Sequence, residues 1–236
     1  MEKKDIREIK KGEIGTGLLI ENDGYVSINS TEHNKLIKEE FDASTEWHVP
    51  NPFIVDAVFQ KYDIKNANGR IYPEKVLKKQ VELYQQKINE RRAYGECNHP
   101  SDSTIDLGRV SHNIIELHWE GRTLVGKMEL NISEGFRKNG ICSTLGDTVA
   151  QLLLNGYKIG VSSRGVGSVE QKLGQTIVGD DFELICWDVV SDPSTPGAYI
   201  GKQEELHQYV EASQRPNSKS SILSEKIDKI FNILSS

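Results

Sequence analysis

Three cysteines in 236 residues, none in a CxxC spacing, exclude a disulfide framework and a zinc knuckle. Cys97, Cys142 and Cys186 read instead as reduced thiols in a cytosolic setting. No apolar stretch approaches the roughly 20 residues that span a bilayer, so no membrane helix is expected. Met1 to Lys11 is dominated by charged residues and lacks the apolar segment of a signal peptide. Lys and Arg form no long run and the net charge is −6, so nucleic acid is not expected as a direct ligand. The chain also carries no internal repeat.

What is present is ordinary for a globular chain. Apolar residues make up 36% and charged ones 27%, enough to build one core with tails. Residues 1–49 are polar and irregular apart from a short strand expected at Gly17 to Ile20. Phe53 to Tyr62, rich in β-branched and aromatic residues, predicts a strand. The turn signal Asn66-Ala67-Asn68-Gly69 follows, then Pro73 at a helix start. Leu77, Val81, Tyr84 and Ile88 recur at helical spacing and predict a helix over Glu74 to Arg91.

Val110 to Trp119 and Thr123 to Leu130 predict a hairpin turning at Glu120-Gly121. Ser143 is expected to cap a second helix with Leu145, Val149, Leu152 and Leu153 as its buried stripe and Gly156 as its end. Lys158 to Val190 predicts short strands broken by glycine. In the tail, Leu223, Ile227, Ile230, Phe231 and Leu234 line one face of a short helix. The expected organisation is a polar lead segment (1–49), a strand-rich α+β domain (50–202) with two packed helices, and a flexible tail (203–236).

Three clusters carry candidate chemistry. In Gly95-Glu96-Cys97-Asn98-His99-Pro100, the neighbours of His99 restrict its backbone, as an oriented general base requires. The plainer alternative is a histidine that hydrogen-bonds its own loop. In Gly160-Val161-Ser162-Ser163-Arg164-Gly165-Val166-Gly167, glycines let a second backbone approach, and Ser162 sits among small neighbours. A serine hydroxyl needs a base to become a nucleophile, so His99 would have to lie beside it. Backbone N–H groups and Arg164 would then face an oxyanion. The alternative is a Gly-rich strand with a bulge, and the spacing is not the G-x-S-x-G elbow. In Trp187-Asp188-Val189-Val190, Asp188 interrupts an apolar strand and needs a partner, either an imidazole or an arginine.

Together these clusters resemble a known family. Asn66-x-Asn68-Gly69-Arg70-x-Tyr72-Pro73, Gly95-Glu96-x-Asn98-His99-Pro100, Gly160-Val161-Ser162-Ser163-Arg164-Gly165-x-Gly167 and Asp188-x-Val190-x-x-Pro193-Ser194 look like the prohead core proteases of T-even-type myoviruses. Order and spacing agree over roughly residues 53 to 200. The resemblance implies a herpesvirus-assemblin-like β-barrel core with flanking helices. It implies a serine endopeptidase inside the assembling prohead, in the host cytoplasm, that cleaves scaffold proteins and the major capsid protein. His99 matches the catalytic histidine and Ser162 the nucleophile. Asp188 matches an acidic position of the phage branch and takes the orienting role, since His207 in the tail is a poor substitute for the second histidine of assemblins. Arg164 and Gly165 are the oxyanion candidates. No metal or cofactor is expected, and no membrane partner; a homo-oligomer is left open. Cleavage by this family implies a self-processing point at Glu211-Ala212 in the tail.

Two rival readings remain at this stage. One is a non-catalytic capsid or tail-tube-like protein sharing the fold, which would need neither His99 nor Ser162. The other is an esterase or amidase using the same pair.

Overall fold

The computed structural model describes residues 7–20, 49–100 and 102–201. Glu211, Ala212, His207, the tail helix and most of the lead segment lie outside these residues. Nine strands form two sheets among them. Strands β1 (Gly15–Ile20), β7 (Gly160–Lys172), β8 (Gln175–Val178) and β3 (Arg70–Ile71) lie in that order, and β9 (Glu183–Val190) also pairs with β7. The second sheet runs β2 (Ile54–Lys61), β6 (Thr123–Leu130), β5 (Val110–Glu120), β4 (Tyr94–Glu96). The helices are α1 (Glu74–Asn89), α2 (Glu134–Asn139) and α3 (Leu145–Leu154).

The strongly periodic segments fold as their spacing predicts. In α1, Val76, Leu77, Val81, Tyr84 and Ile88 are buried. Each such side chain contributes about 1.5–3 kcal/mol on leaving water, which secures a helix that would be marginal alone. Pro73 occupies the cap, one position before the expected first turn. The β5–β6 hairpin pairs Glu120 with Thr123 across the predicted turn.

Several elements differ from expectation. The strands close into two open sheets rather than one barrel, because β1 and β3 end the first sheet while β2 and β4 end the second. β1 is an integral strand: Leu18, Leu19 and Ile20 are buried and pair with β7, so the folded unit reaches upstream of residue 50. α3 is capped by Thr144 rather than Ser143. Thr144 forms a capping box with Asp147, whose carboxylate also takes the N–H of Ser143. Leu152, expected in the stripe, is 37% exposed because it falls one position off the buried face of Val149, Ala150 and Leu153. β7 is one strand of 13 residues rather than several short ones. Its glycines serve close packing: a Cβ on Gly165 would lie 2.3 Å from the ring of Phe182, and one on Gly160 would lie 2.4 Å from Pro193.

Candidate active site around Asp188

The register of β7 and β9 assembles the site. These strands pair antiparallel with Ser162 opposite Asp188, Ser163 opposite Trp187 and Arg164 opposite Cys186. Residues directly opposite share a face, with Cβ atoms about 5 Å apart. Ser162, Arg164, Cys186 and Asp188 therefore share one face. Ser163 and Trp187 share the other, where Trp187 packs edge-on against Phe59 and Tyr84 at 5.6 and 5.1 Å between ring centres.

His99 arrives from the chain that leaves β4. Cys97 bridges to Val189, and Asn98 takes a left-handed φ of 63° that asparagine tolerates. The Asn98 N–H donates to the Val189 carbonyl at 2.8 Å, fixing the next residue over β9. His99 Nδ1 then meets Asp188 Oδ2 at 2.7 Å, with both side chains almost fully buried. A carboxylate only accepts, so Nδ1 carries a proton, and in the neutral ring the lone pair is on Nε2. Nε2 is buried and has no hydrogen-bond partner among the described residues.

Asp188 is held at both oxygens. Oδ1 accepts from the Glu96 N–H at 2.9 Å and the Cys186 thiol at 3.2 Å; Oδ2 also accepts from Arg164 Nε at 2.9 Å. Burial pushes its carboxyl pKa up. The His99 hydrogen bond and charge, the Arg164 guanidinium and the Glu96 N–H outweigh burial and hold it below the usual carboxylate range. Burial pushes the Cys186 thiol well up, so it remains a neutral donor. Burial alone would lower Arg164, but Cys186 and the carboxylates of Asp188 and Glu96 raise it, so it stays protonated.

The two expected oxyanion donors stand differently. Arg164 is fully buried and all three of its nitrogens are engaged: Nε with Asp188, Nη1 with the Asp102 carbonyl at 2.7 Å, and Nη2 with Glu96, Cys186 and Asp188. Gly165 lies between β1 and β9, paired with Leu19 and Leu184, where the β7–β9 register shifts. Ser162, expected among small neighbours, is only 1% exposed.

The first sequence cluster is scaffolding. Asn66 Oδ1 accepts the Arg70 N–H at 2.9 Å, and the Arg70 guanidinium donates to the carbonyls of Ile20 and Ile9, tying the lead segment to the core. The Ala67 N–H donates to the Ser194 carbonyl at 3.0 Å, joining the first cluster to the last.

Sequence reading missed two residues here. Glu96, whose place in the Gly95–Pro100 motif gives no hint of a role, binds Arg164. His112 on β5 is completely buried, with Nδ1 against Ser111 Oγ at 2.9 Å and Nε2 against the Trp187 carbonyl at 3.1 Å. A histidine at an inward position of a strand was its signal. Burial lowers its pKa to about 4 against the smaller opposing effects of Asp188 and the Trp187 carbonyl. Among the described residues, no group of His, Cys, Asp and Glu gathers as a metal site would need. None of their helices is long and apolar enough to cross a membrane.

Comparison with known proteins places this arrangement. The solved structure of the bacteriophage T4 capsid assembly protease superposes with a TM-score of 0.58 at 25% identity, covering 75% of this chain and 99% of that one. The prohead core protein protease of Enterobacteria phage T4 is 31% identical over 153 residues, which is 64% of this chain and 68% of that protein. A family model described as prohead core protein serine protease matches residues 18–209. Because that match spans most of the sequence, the chain belongs to the prohead core protein serine protease family.

Proposed function

We propose that the chain is a serine endopeptidase that cleaves scaffold and major capsid proteins inside the assembling prohead, with Ser162, His99 and Asp188 as its reacting group. The observation that carries this reading is the pair of contacts made by Asp188: His99 Nδ1 on its Oδ2 at 2.7 Å, and Ser162 opposite it in the ladder. Parity supports Ser162 over Ser163, because Ser163 lies on the opposite face with Trp187.

In this mechanism Ser162 Oγ attacks the peptide carbonyl while His99 Nε2 takes its proton. The tetrahedral intermediate collapses, the C–N bond breaks, and His99 gives that proton to the leaving amine. Water then attacks the acyl-enzyme, again passing its proton through His99, and releases the new carboxylate and the Ser162 hydroxyl. Asp188 keeps Nδ1 protonated and stabilises the imidazolium. Arg164, locked on Asp188 and Glu96, orders that carboxylate. Ser162 and the His99 ring are both buried, so a substrate carbonyl reaches them only when covering chain gives way.

Membership of the prohead core protein serine protease family disfavours a purely structural capsid or tube role. Peptide cleavage by full-length protein tests the reading. Ser162→Ala should abolish turnover of a scaffold-derived peptide while the melting temperature stays near wild type. Retained turnover in that variant would overturn the assignment.

A further inference from the structure

Glu96 is fully buried, and both carboxylate oxygens are occupied. Oε1 accepts from Arg164 Nη2 at 3.1 Å and from the Asp106 N–H at 2.8 Å; Oε2 accepts from Arg109 Nε at 3.3 Å. A slip in the β4–β5 register between Gly95 and Glu96 re-aims the side chain at the end of β4. Arg109 also donates to the Cys97 carbonyl at 2.8 Å.

Two consequences follow from these contacts. The chain that carries His99 starts at Glu96 and is held at its far end by the Asp106 N–H, so the carboxylate closes that loop. Arg164 is shared between Glu96 and Asp188, and Asp188 Oδ2 is shared between Arg164 Nε at 2.9 Å and His99 Nδ1 at 2.7 Å. Loop closure alone needs an acceptor, and a neutral amide would supply one with less desolvation cost than a buried charge. A second carboxylate does something an amide does not: it divides the charge of Arg164. With Arg164 undivided, its full positive charge would sit on Asp188 and oppose an imidazolium at His99. Burial strengthens this competition, because charges interact more strongly away from water.

The geometry points to Glu96 as a positioning residue: by sharing Arg164 it leaves Asp188 enough negative charge to orient His99 and to stabilise the imidazolium formed during acyl transfer. The inference rests on the reading of Ser162, His99 and Asp188 given above. The other titratable or charged groups around Asp188 and His99 among the described residues are Cys186 on β9, Tyr84 on α1, His112 on β5, Cys97 and Arg109. Of these, Arg109 alone bonds the Glu96 carboxylate.

The test is the pH dependence of kcat for peptide cleavage by the full chain and three variants. Glu96→Gln keeps the shape and removes the charge. It should lower kcat roughly 10- to 100-fold with little change in KM, and move the acid limb of the profile toward lower pH by about one unit. Glu96→Gln combined with Arg109→Gln restores the local charge balance and should return the limb toward wild type. Glu96→Asp keeps the charge and should leave the limb in place even where kcat falls. An unchanged acid limb in a folded Glu96→Gln overturns the inference, as does a lost kcat that the double variant does not recover. If Glu96→Gln fails to fold, Glu96→Asp decides, and a displaced limb despite the retained charge counts against it. Ser162→Ala separates this inference from the reading beneath it. An active Ser162→Ala overturns that reading. A dead Ser162→Ala beside a wild-type Glu96→Gln overturns the role of Glu96 alone.

Discussion

Two histidines flank consecutive residues of β9, and their surroundings are opposites. His112 reaches β9 from the strand side and spends Nε2 on the Trp187 carbonyl, while Nδ1 faces the hydroxyl of Ser111. His99 reaches β9 from the loop side, where Nδ1 faces the ionised carboxylate of Asp188 and Nε2 bonds nothing among the described residues. Both rings are buried. The difference lies in what each nitrogen meets: a ring bonded at both nitrogens to neutral groups is a strut, and a ring held by a carboxylate with a lone pair left over is equipped to move a proton.

The sharpest way to break this comparison is to remove each ring in turn. His99→Ala should reduce peptide turnover by on the order of 10⁴-fold or more with little change in melting temperature, as loss of a base in a triad does. A His99→Ala protein with substantial turnover would erase the distinction. Asp188→Asn should cost about 10²- to 10⁴-fold in rate, because the amide disturbs the tautomer and no longer stabilises the imidazolium. Wild-type turnover in that variant, measured by the same assay, would remove Asp188 from the mechanism.

On the His112 side the expected effects are on stability. A Cβ on Gly95 would lie 2.2 Å from both His112 Nε2 and the Trp187 carbonyl, so β4 must stay bare where it passes β9. Gly95→Ala should cost about 1–3 kcal/mol through overpacking, read as a lower denaturation midpoint in urea. An unchanged midpoint would show that the contact relaxes freely.

An effect of similar size, but pH-dependent, should come from His112 itself. Its folded pKa of about 4 lies below the ordinary 6.5, so between those values the unfolded chain binds a proton that the native state refuses. The contribution is complete above pH 6.5 and is lost as pH falls toward 4, by about 3 kcal/mol over the window. His112→Gln, which retains a donor for the Trp187 carbonyl, should flatten that part of the stability curve. An identical slope in both proteins would contradict the assignment.

The sequence made some of this legible and some not. Helix α1 and the β5–β6 hairpin were readable because their periods are long and clean: Leu77, Val81, Tyr84 and Ile88 on one face, Leu124, Met128 and Leu130 on another. The partners of Asp188 were legible in kind, because a carboxylate interrupting an apolar strand needs an imidazole or an arginine, and it meets both in His99 and Arg164. The sheet arrangement was not, since whether strands close into a barrel depends on pairings between distant segments such as β1 with β7. The fixed posture of Arg164 escaped for a similar reason. An arginine beside a serine looks like a free cation until the register of β7 against β9 sets it beside Asp188, and β4 delivers Glu96. The continuous length of β7 was hidden because its glycines, which suggest breaks, answer instead to Phe182 and Pro193.

The central claim is that Ser162, and not its neighbour, lies on the reacting face. The most direct measurement is to label the full-length active protein with a fluorophosphonate and map the modified residue by tandem mass spectrometry. The account predicts a single adduct on Ser162, unaffected by Ser163→Ala and lost in both Ser162→Ala and His99→Ala. An adduct on Ser163, or labelling that survives Ser162→Ala, would contradict it.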